Sequence, residues 1–229
     1  MPINQLPTPE QSLVLMLSHH THFSFSERIM HMTATISPAI TTWNIDPVHS
    51  VVEFRVKHMM ISNVKGQFTG VSGILSLDEG NVEDSSITAT VDVSSLNTSD
   101  AQRDAHLRSA DFFDADNFPK ISLRSSRIKS IPEGGLLASG QLTIRGVTKD
   151  VDFAVDGPTS PAKDPWGNTR IGLSATTRIN RKDFGLTWNA ALEAGGFLVG
   201  EEVAISLDLQ FLKPEVPSTS RDPSGAYRI

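Results

Sequence analysis

The stretch "EVAISLDLQF", residues 202–211, alternates apolar and polar or small residues without a break. The apolar positions are Val203, Ile205, Leu207, Leu209 and Phe211. Because successive side chains of a β-strand point to opposite faces, this period of two predicts a strand with one buried face.

The same period recurs from Thr42 onward, in "VVEFRVKH" (51–58), "SITATVDV" (86–93) and "TRIGLSATTRIN" (169–180). Residues that tolerate positive φ separate such runs, in "DEGN" (78–81), "PEGG" (132–135) and "KDPWGN" (163–168), so successive strands are predicted to pair antiparallel. Only the stretch after Leu96 resembles a helix, with Asn97, Thr98 and Ser99 as candidate caps. We predict an all-β domain of about eight to ten strands, as a barrel rather than a sandwich, because a barrel leaves no exposed edges.

Both ends of the chain differ from this patterned region. One barrel domain is predicted for residues 41–213, between disordered segments at residues 1–40 and 214–229. The apolar run at residues 12–18 has no basic residue before it, so it is not a convincing secretory signal, and a cytoplasmic location is expected over export. The natural start is interpreted as Met1, Met30 or Met32, and the histidines at positions 19, 20 and 22 as incidental rather than metal-binding.

Composition excludes several classes of function. The formal net charge of −6 disfavours nucleic-acid binding, since it gives no attraction to phosphate. The chain has no cysteine, which excludes disulfides, thiolate catalysis, iron–sulfur clusters and cysteine zinc sites.

The segment "DAHLRSADFFDADNFP", residues 104–119, concentrates charged residues around phenylalanines. A calcium loop beginning at Asp114 would need glycine and glutamate where Pro119 and Ser125 stand. Asp104 and His106 lack a second histidine at metal-ligand spacing, and G-x-S-x-G and phosphate-binding loops are absent from the sequence. The aspartates are therefore interpreted as turn caps on a surface segment, and no metal, cofactor or catalytic site is predicted here.

The interior of such a barrel allows two alternatives. The inward positions mix large residues such as Phe54 and Phe153 with small ones, namely Ala89, Ala138 and Ala175. A barrel of about eight strands can be filled by its side chains or can hold one slender ligand. The pattern alone leaves both open.

Several ordered blocks resemble the YceI-like family of lipid-binding proteins. They are "TWNIDPVHSVVEFRVKHMMISNVKGQF" (42–68), "RDAHLRSADFFDADNFPKISLRS" (103–125), "LTIRGVTKDV" (142–151) and "RIGLSATTRINRKDFGLTWN" (170–189). The resemblance spans residues 42–213 and implies a lipocalin-like antiparallel β-barrel of about eight strands, with one short helix in a long crossover. It also implies an apolar pocket for a polyisoprenoid, an isoprenoid quinone or a fatty amide, and a carrier or store rather than an enzyme.

Given the resemblance, site residues are assigned to this sequence. Phe112, Phe113 and Phe118 are expected to cover the pocket while Asp111, Asp114 and Asp116 stay in water. The expected wall residues are Phe54, Val56, Val91, Ile121, Leu142, Phe153, Leu173, Leu207 and Phe211, and the expected head-group contacts at the rim are Arg103, His106 and Arg108. Transient membrane contact and a homodimer are left open.

Two other classes of function remain as alternatives. One is an enzyme acting on a lipid inside the barrel, with Asp46, His49 or His58 as acid or base. The other is a stress-related interaction module whose lipid is structural.

Overall fold

The computed structural model describes residues 40–132, 134–193 and 195–214. The two segments predicted to be disordered, the alternative start sites and the three N-terminal histidines lie outside these residues, apart from Ile40 and Pro214.

Twelve strands, one α-helix and four short 3-10 helices form in the described residues. The strands are β1 (Ile40–Ile45), β2 (Val51–His58), β3 (Ser62–Phe68), β4 (Val71–Asp78), β5 (Ser86–Asp92), β6 (Leu96–Asn97), β7 (Lys120–Ser130), β8 (Leu136–Ile144), β9 (Val147–Asp156), β10 (Ala162–Lys163), β11 (Thr169–Asn180) and β12 (Val199–Leu212). The α-helix is α1 (Ala101–Arg108), and the 3-10 helices are Pro47–His49, Val82–Asp84, Val93–Ser95 and Arg181–Phe184. No helix of the described residues is long and apolar enough to cross a membrane.

All strand pairings are antiparallel, and the sheet closes on itself because β11 pairs with β12 along its length. The closed ring runs β1–β4–β5–β7–β8–β9–β11–β12 and returns to β1. Beside this ring, β2 extends the line of β1 along β12, and β3 and β6 pair beyond β2. The predicted barrel of about eight strands is confirmed.

The alternation of β12 places its apolar side chains inside the barrel. Leu207, Leu209 and Phe211 are buried, while Asp208 between them is exposed. Phe211 and Trp43 of β1 are both fully buried at one end of the barrel. The period of two therefore decides which face of each strand meets the core.

The opposite end, called the mouth, is covered by two connections. The crossover, residues 98–119, runs from β6 through α1 to β7, and the strap, residues 181–198, joins β11 to β12. Both begin and end at the mouth, because Lys120 pairs with Asp92 and Asn180 pairs with Glu202 near the ends of their strands.

Helix α1 begins one residue later than its predicted caps. The N-cap is Asp100, whose carboxylate accepts a hydrogen bond from the Arg103 N–H at 3.0 Å. Asn97 is still paired in β6, and the Thr98 side chain is engaged with Asp104. The three predicted caps were therefore wrong because the strand and its exit occupy those residues.

Candidate ligand cavity

Two apolar cavities lie end to end inside the barrel. The mouth cavity has a volume of about 150 Å³ and the base cavity about 60 Å³. Four side chains line both cavities and separate them, namely Leu123, Phe153, Leu207 and Leu209. The interior is thus neither a filled core nor one open channel, but a chain of two chambers.

Small inward residues accompany the empty space. Ala89 lines the mouth cavity, whereas Ala138 and Ala175 line the base cavity. An alanine opposite a large side chain leaves room that a leucine would fill. The cavities therefore form where small inward residues stand among the large ones, in the mixture noted in the sequence.

Most of the residues predicted for the pocket wall line one of the two cavities. Leu173 lines the base cavity, whereas Phe211 packs in the apolar cluster without lining either cavity, so its assignment to the wall was wrong. The predicted residues that line the mouth cavity are Phe54, Val56, Val91, Phe112, Phe113, Ile121, Leu142, Phe153 and Leu207.

The crossover covers the mouth cavity with Leu107, Phe112 and Phe113. Phe118 was predicted to cover the cavity, but it packs on Gly146 of the β8–β9 turn instead. A Cβ added to Gly146 would come within 2.7 Å of the Phe118 ring. Asp114 is half-buried rather than solvated, and it has a left-handed backbone (φ 52°) at the turn that ends the helical segment. Two of the three predicted cover residues thus reach the cavity.

The predicted rim cations do not line the cavity. Arg103 donates from Nε to Thr98 Oγ1 and from Nη2 to Thr98 O, both at 2.8 Å, and Arg108 donates to Leu96 O. Asp104 is buried and accepts from the Thr98 N–H at 2.8 Å and its hydroxyl at 2.5 Å. The two arginines therefore fasten the start of the crossover, and neither lines a cavity.

His106 joins the crossover to the strap. Its ring stands edge-on to Phe112, with centroids 5.1 Å apart, and to Trp188 of the strap at 4.7 Å. Its Nε2 lies 3.0 Å from Asp111 Oδ2. Arg145 of the β8–β9 turn makes a second link, donating to Ala110 O at 2.7 Å and Gly185 O at 3.1 Å. The two covers are thus held together over the mouth.

The strap supplies residues that the sequence did not single out. Phe184 and Leu186 line the mouth cavity, and Arg181 is the one charged residue on the wall of either cavity in the described part of the chain. The block "RINRKDFGLTWN" (178–189) could have indicated these residues, because apolar residues continue there after the strand alternation ends.

Arg181 is buried and anchors the strap. Its guanidinium donates to the carbonyl oxygens of Leu186, Trp188 (2.9 Å), Val199 (3.3 Å) and Gly200 (2.8 Å). Burial lowers the pKa of the Arg181 guanidinium from its ordinary value. Because its partners are neutral carbonyls on both sides of the strap, the side chain ties the strap to the start of β12.

The acid/base candidates lie outside the cavities. Asp46 and His49 do meet, with Oδ2 and Nδ1 2.8 Å apart, but neither they nor His58 line a cavity. Burial would raise the pKa of the Asp46 carboxyl, but hydrogen bonds from Arg170, His49 and the Val48 N–H outweigh it and leave this pKa lowered. Arg170 also bonds Asp164 at 2.7 Å and Gln210 at 3.1 Å, so the network joins β1, β11 and β12.

The walls restrict the chemistry of the interior. Apart from Arg181, the polar side chains on them are serines, which are Ser122 in the mouth cavity and Ser85, Ser125 and Ser139 in the base cavity. No group of three His, Asp or Glu side chains within the described residues is arranged to hold a metal ion. Such walls suit hydrocarbon, which gains about 0.8 kcal/mol per methylene on leaving water.

These features define a closed antiparallel β-barrel with an apolar, covered interior. The sequence model of the YceI-like domain matches residues 43–211, and the chain belongs to the YceI-like family. A UPF0312 protein of Staphylococcus aureus is 36% identical over 173 residues, which are 75% of this chain and 98% of that protein.

Solved structures have the same fold. The Campylobacter jejuni YCEI protein superposes with a TM-score of 0.56 at 30% identity, covering 69% of this chain and 90% of that one. Burkholderia cenocepacia BcnA gives a TM-score of 0.60 at 24% identity, covering 72% and 98%. A Saccharophagus degradans domain described as polyisoprenoid-binding gives 0.54 at 14% identity, covering 77% and 100%. The last two likenesses concern the fold alone.

Proposed function

We propose that this protein binds a long-chain amphiphilic lipid, such as a polyisoprenoid, an isoprenoid quinone or a fatty amide, inside the barrel and stores or carries it. The observation that carries the proposal is the chain of two apolar cavities under a two-part cover. The polyisoprenoid-binding description of the S. degradans domain, which has the same fold, agrees with this choice of ligand.

The cavity volumes constrain how such a ligand is held. An apolar cavity of about 150 Å³ accommodates a molecule the size of benzene, so the mouth cavity of about 150 Å³ is too small for a long chain as it stands. A longer chain must displace the four side chains between the cavities and push against the cover. We therefore propose that loading is coupled to a rearrangement of Phe153 and the crossover.

We propose that the protein binds its lipid without acting on it chemically. An acid or base that acts on a lipid must lie within hydrogen-bond reach of it, whereas Asp46 bonds to Arg170 and to His49 away from both cavities. Carriage also has a physical requirement. At about 0.8 kcal/mol per methylene, release of a long chain into water is negligibly slow, so exchange takes place against a membrane or a protein partner.

Organic extraction of protein purified without detergent, followed by mass spectrometry, tests the proposal. One long-chain lipid per chain is the expected result. An empty protein that also fails to take up such lipids from vesicles would overturn binding. Chemical change of an added lipid would favour the enzyme, and a lipid that never exchanges would favour a structural role in an interaction module.

A further inference from the structure

The turn between β2 and β3 has an unusual sequence for its shape. The Ile61 N–H donates to His58 O at 3.0 Å, and Met59 and Met60 between them have φ angles of 52° and 60°. A β-turn whose two central residues are both left-handed favours asparagine and glycine, because a larger side chain crowds the backbone in that conformation. Two methionines are thus held at a conformational cost, which is a common sign of a functional position.

What this turn displays is apolar. The side chains of Met60 and Ile61 are 71% and 79% exposed. Phe197 of the strap, 58% exposed, lies beside them, because the Met59 N–H donates to Leu198 O at 2.8 Å. We call Met59, Met60, Ile61 and Phe197 the apolar rim. Two separate hairpins contribute to it.

The apolar rim continues the wall of the mouth cavity. His58, which precedes the turn, pairs with Val199, and Val199 and Val56 both line the mouth cavity. The rim therefore stands at the end of the barrel that the crossover and the strap cover. An apolar molecule leaving the cavity at this edge would pass from one apolar surface to another.

The charges around the rim are largely compensated. Lys182, whose Nζ lies 5.9 Å from the centre of the Phe197 ring, pairs with Glu201 at 2.5 Å. Arg178 and Glu202, on the adjoining strand ends, pair with each other. A surface with apolar tips and little net charge fits an electrically neutral partner better than a polyanion.

We propose that the apolar rim inserts into the surface of a zwitterionic phospholipid bilayer and brings the mouth of the barrel against the membrane. The inference rests on the proposed function, for which it supplies the site of exchange. Methionine, isoleucine and phenylalanine on two adjacent turns gain free energy by leaving water, and the bilayer is the partner that also holds long-chain lipids.

The test is co-sedimentation of the full chain with phosphatidylcholine vesicles. Wild type is expected to bind, because desolvation of apolar groups drives binding. The bound fraction should change little when the salt concentration is raised about tenfold, since screening weakens only the interactions between charges. Met60→Ser with Ile61→Ser and Phe197→Ser should weaken binding by about tenfold or more. Trp166→Ser is the matched control, since Trp166 is 80% exposed on the turn before β11, away from the mouth, and its loss should leave binding unchanged.

A second variant separates docking from folding. Met59→Asn with Met60→Gly suits the turn and should raise the melting temperature while lowering vesicle binding. Equal binding by wild type and these variants, or no binding by wild type, overturns the docking proposal. Lipid extraction is read in parallel: a chain that contains lipid but ignores vesicles refutes docking alone, and a chain that binds vesicles but never contains lipid refutes the proposed function alone.

Discussion

Phe153 divides the interior, so replacing it by alanine is the most direct test of the two-chamber cavity. Removal of a buried phenyl ring costs about 3 to 5 kcal/mol of folding free energy in the lipid-free protein. The same change joins the mouth cavity of about 150 Å³ to the base cavity of about 60 Å³. Phe153→Ala should therefore be less stable than wild type without a ligand, and it should accept a longer ligand chain.

The gain in binding follows from the space that the ring vacates. If three more methylene groups of a ligand chain enter, they contribute about 2.4 kcal/mol at about 0.8 kcal/mol each. That is an increase in affinity of about 50-fold for a long chain, with little gain for a short one. A bound ligand also restores stability by mass action, so the melting temperature of the variant should rise more steeply with lipid concentration.

The assay is a series of alkyl amphiphiles with one head group and increasing chain length, titrated by calorimetry. In wild type, affinity should stop rising at a certain length; in Phe153→Ala that limit should move by about three methylenes. Phe211→Ala is the matched control, because Phe211 is also a buried phenylalanine but lines neither cavity. Its stability should fall similarly while the length limit stays unchanged.

An unchanged length limit in Phe153→Ala would refute the two-chamber account, since the base cavity would then take no part in binding. Phe153→Leu covers the case in which the alanine variant does not fold. Leucine keeps most of the packing but no ring, so a smaller shift of the limit in the same direction is expected.

Three further outcomes are expected. Phe112→Ala with Phe113→Ala should reduce the lipid recovered by extraction more than it reduces the melting temperature, because these side chains cover the cavity; equal loss of both would contradict a cover. Arg181→Met should destabilise the fold by about 3 kcal/mol or more and speed hydrogen exchange at residues 186–190, because four carbonyls lose their donor; unchanged exchange would contradict anchoring. Since the Asp46 pKa is lowered in the fold, the stability this carboxylate adds is present at neutral pH and lost as the pH falls below about 4, so Asp46→Asn should show a weaker acid dependence in urea titrations.

The strand faces were readable from sequence because alternation reports directly on the side of a strand. The alternating apolar residues Val203 to Phe211 of β12 share the inward face as expected, yet alternation does not report height along the barrel. Leu207 and Phe211 share a face and belong to one apolar cluster with Trp43, and only the neighbouring strands decide that Leu207 lines a cavity whereas Phe211 does not. Such neighbours are distant in sequence, so the error at Phe211 was not avoidable from the pattern.

The covers were predicted less well for a related reason. Arg103 and Arg108 are of the residue type that contacts lipid head groups, but in the fold they donate to the backbone carbonyls of Thr98 and Leu96. Backbone acceptors have no sequence signature, so a prediction from side-chain types overlooks them. The same holds for Arg181, whose partners are all carbonyls.

The internal bonding of the crossover indicates how the barrel opens. Thr98 is bonded to Asp104, and the N–H groups of Phe113 and Ala115 donate to Leu107 O and Arg108 O, so the crossover is bonded within itself as one unit. Between its two ends, the described polar links from the crossover to the rest of the barrel are the hydrogen bond from Arg108 to Leu96 O, which lies beside its start, and the exposed hydrogen bond from Arg145 to Ala110 O. The crossover is therefore expected to move as a body about its ends.

The cost of that motion depends on the surroundings of the mouth. In water, opening exposes Leu107, Phe112 and Phe113, which costs about 1.5 to 3 kcal/mol each when fully exposed, or about 5 to 9 kcal/mol together. At about 5 kcal/mol, roughly one molecule in several thousand is open at a time. Against a bilayer the same side chains meet hydrocarbon and the cost largely disappears. The cover that retains a lipid in water is thus expected to release it at a membrane without any further signal. Lipid exchange should therefore be faster in the presence of vesicles than in their absence, by a factor that reflects the difference in the cost of opening.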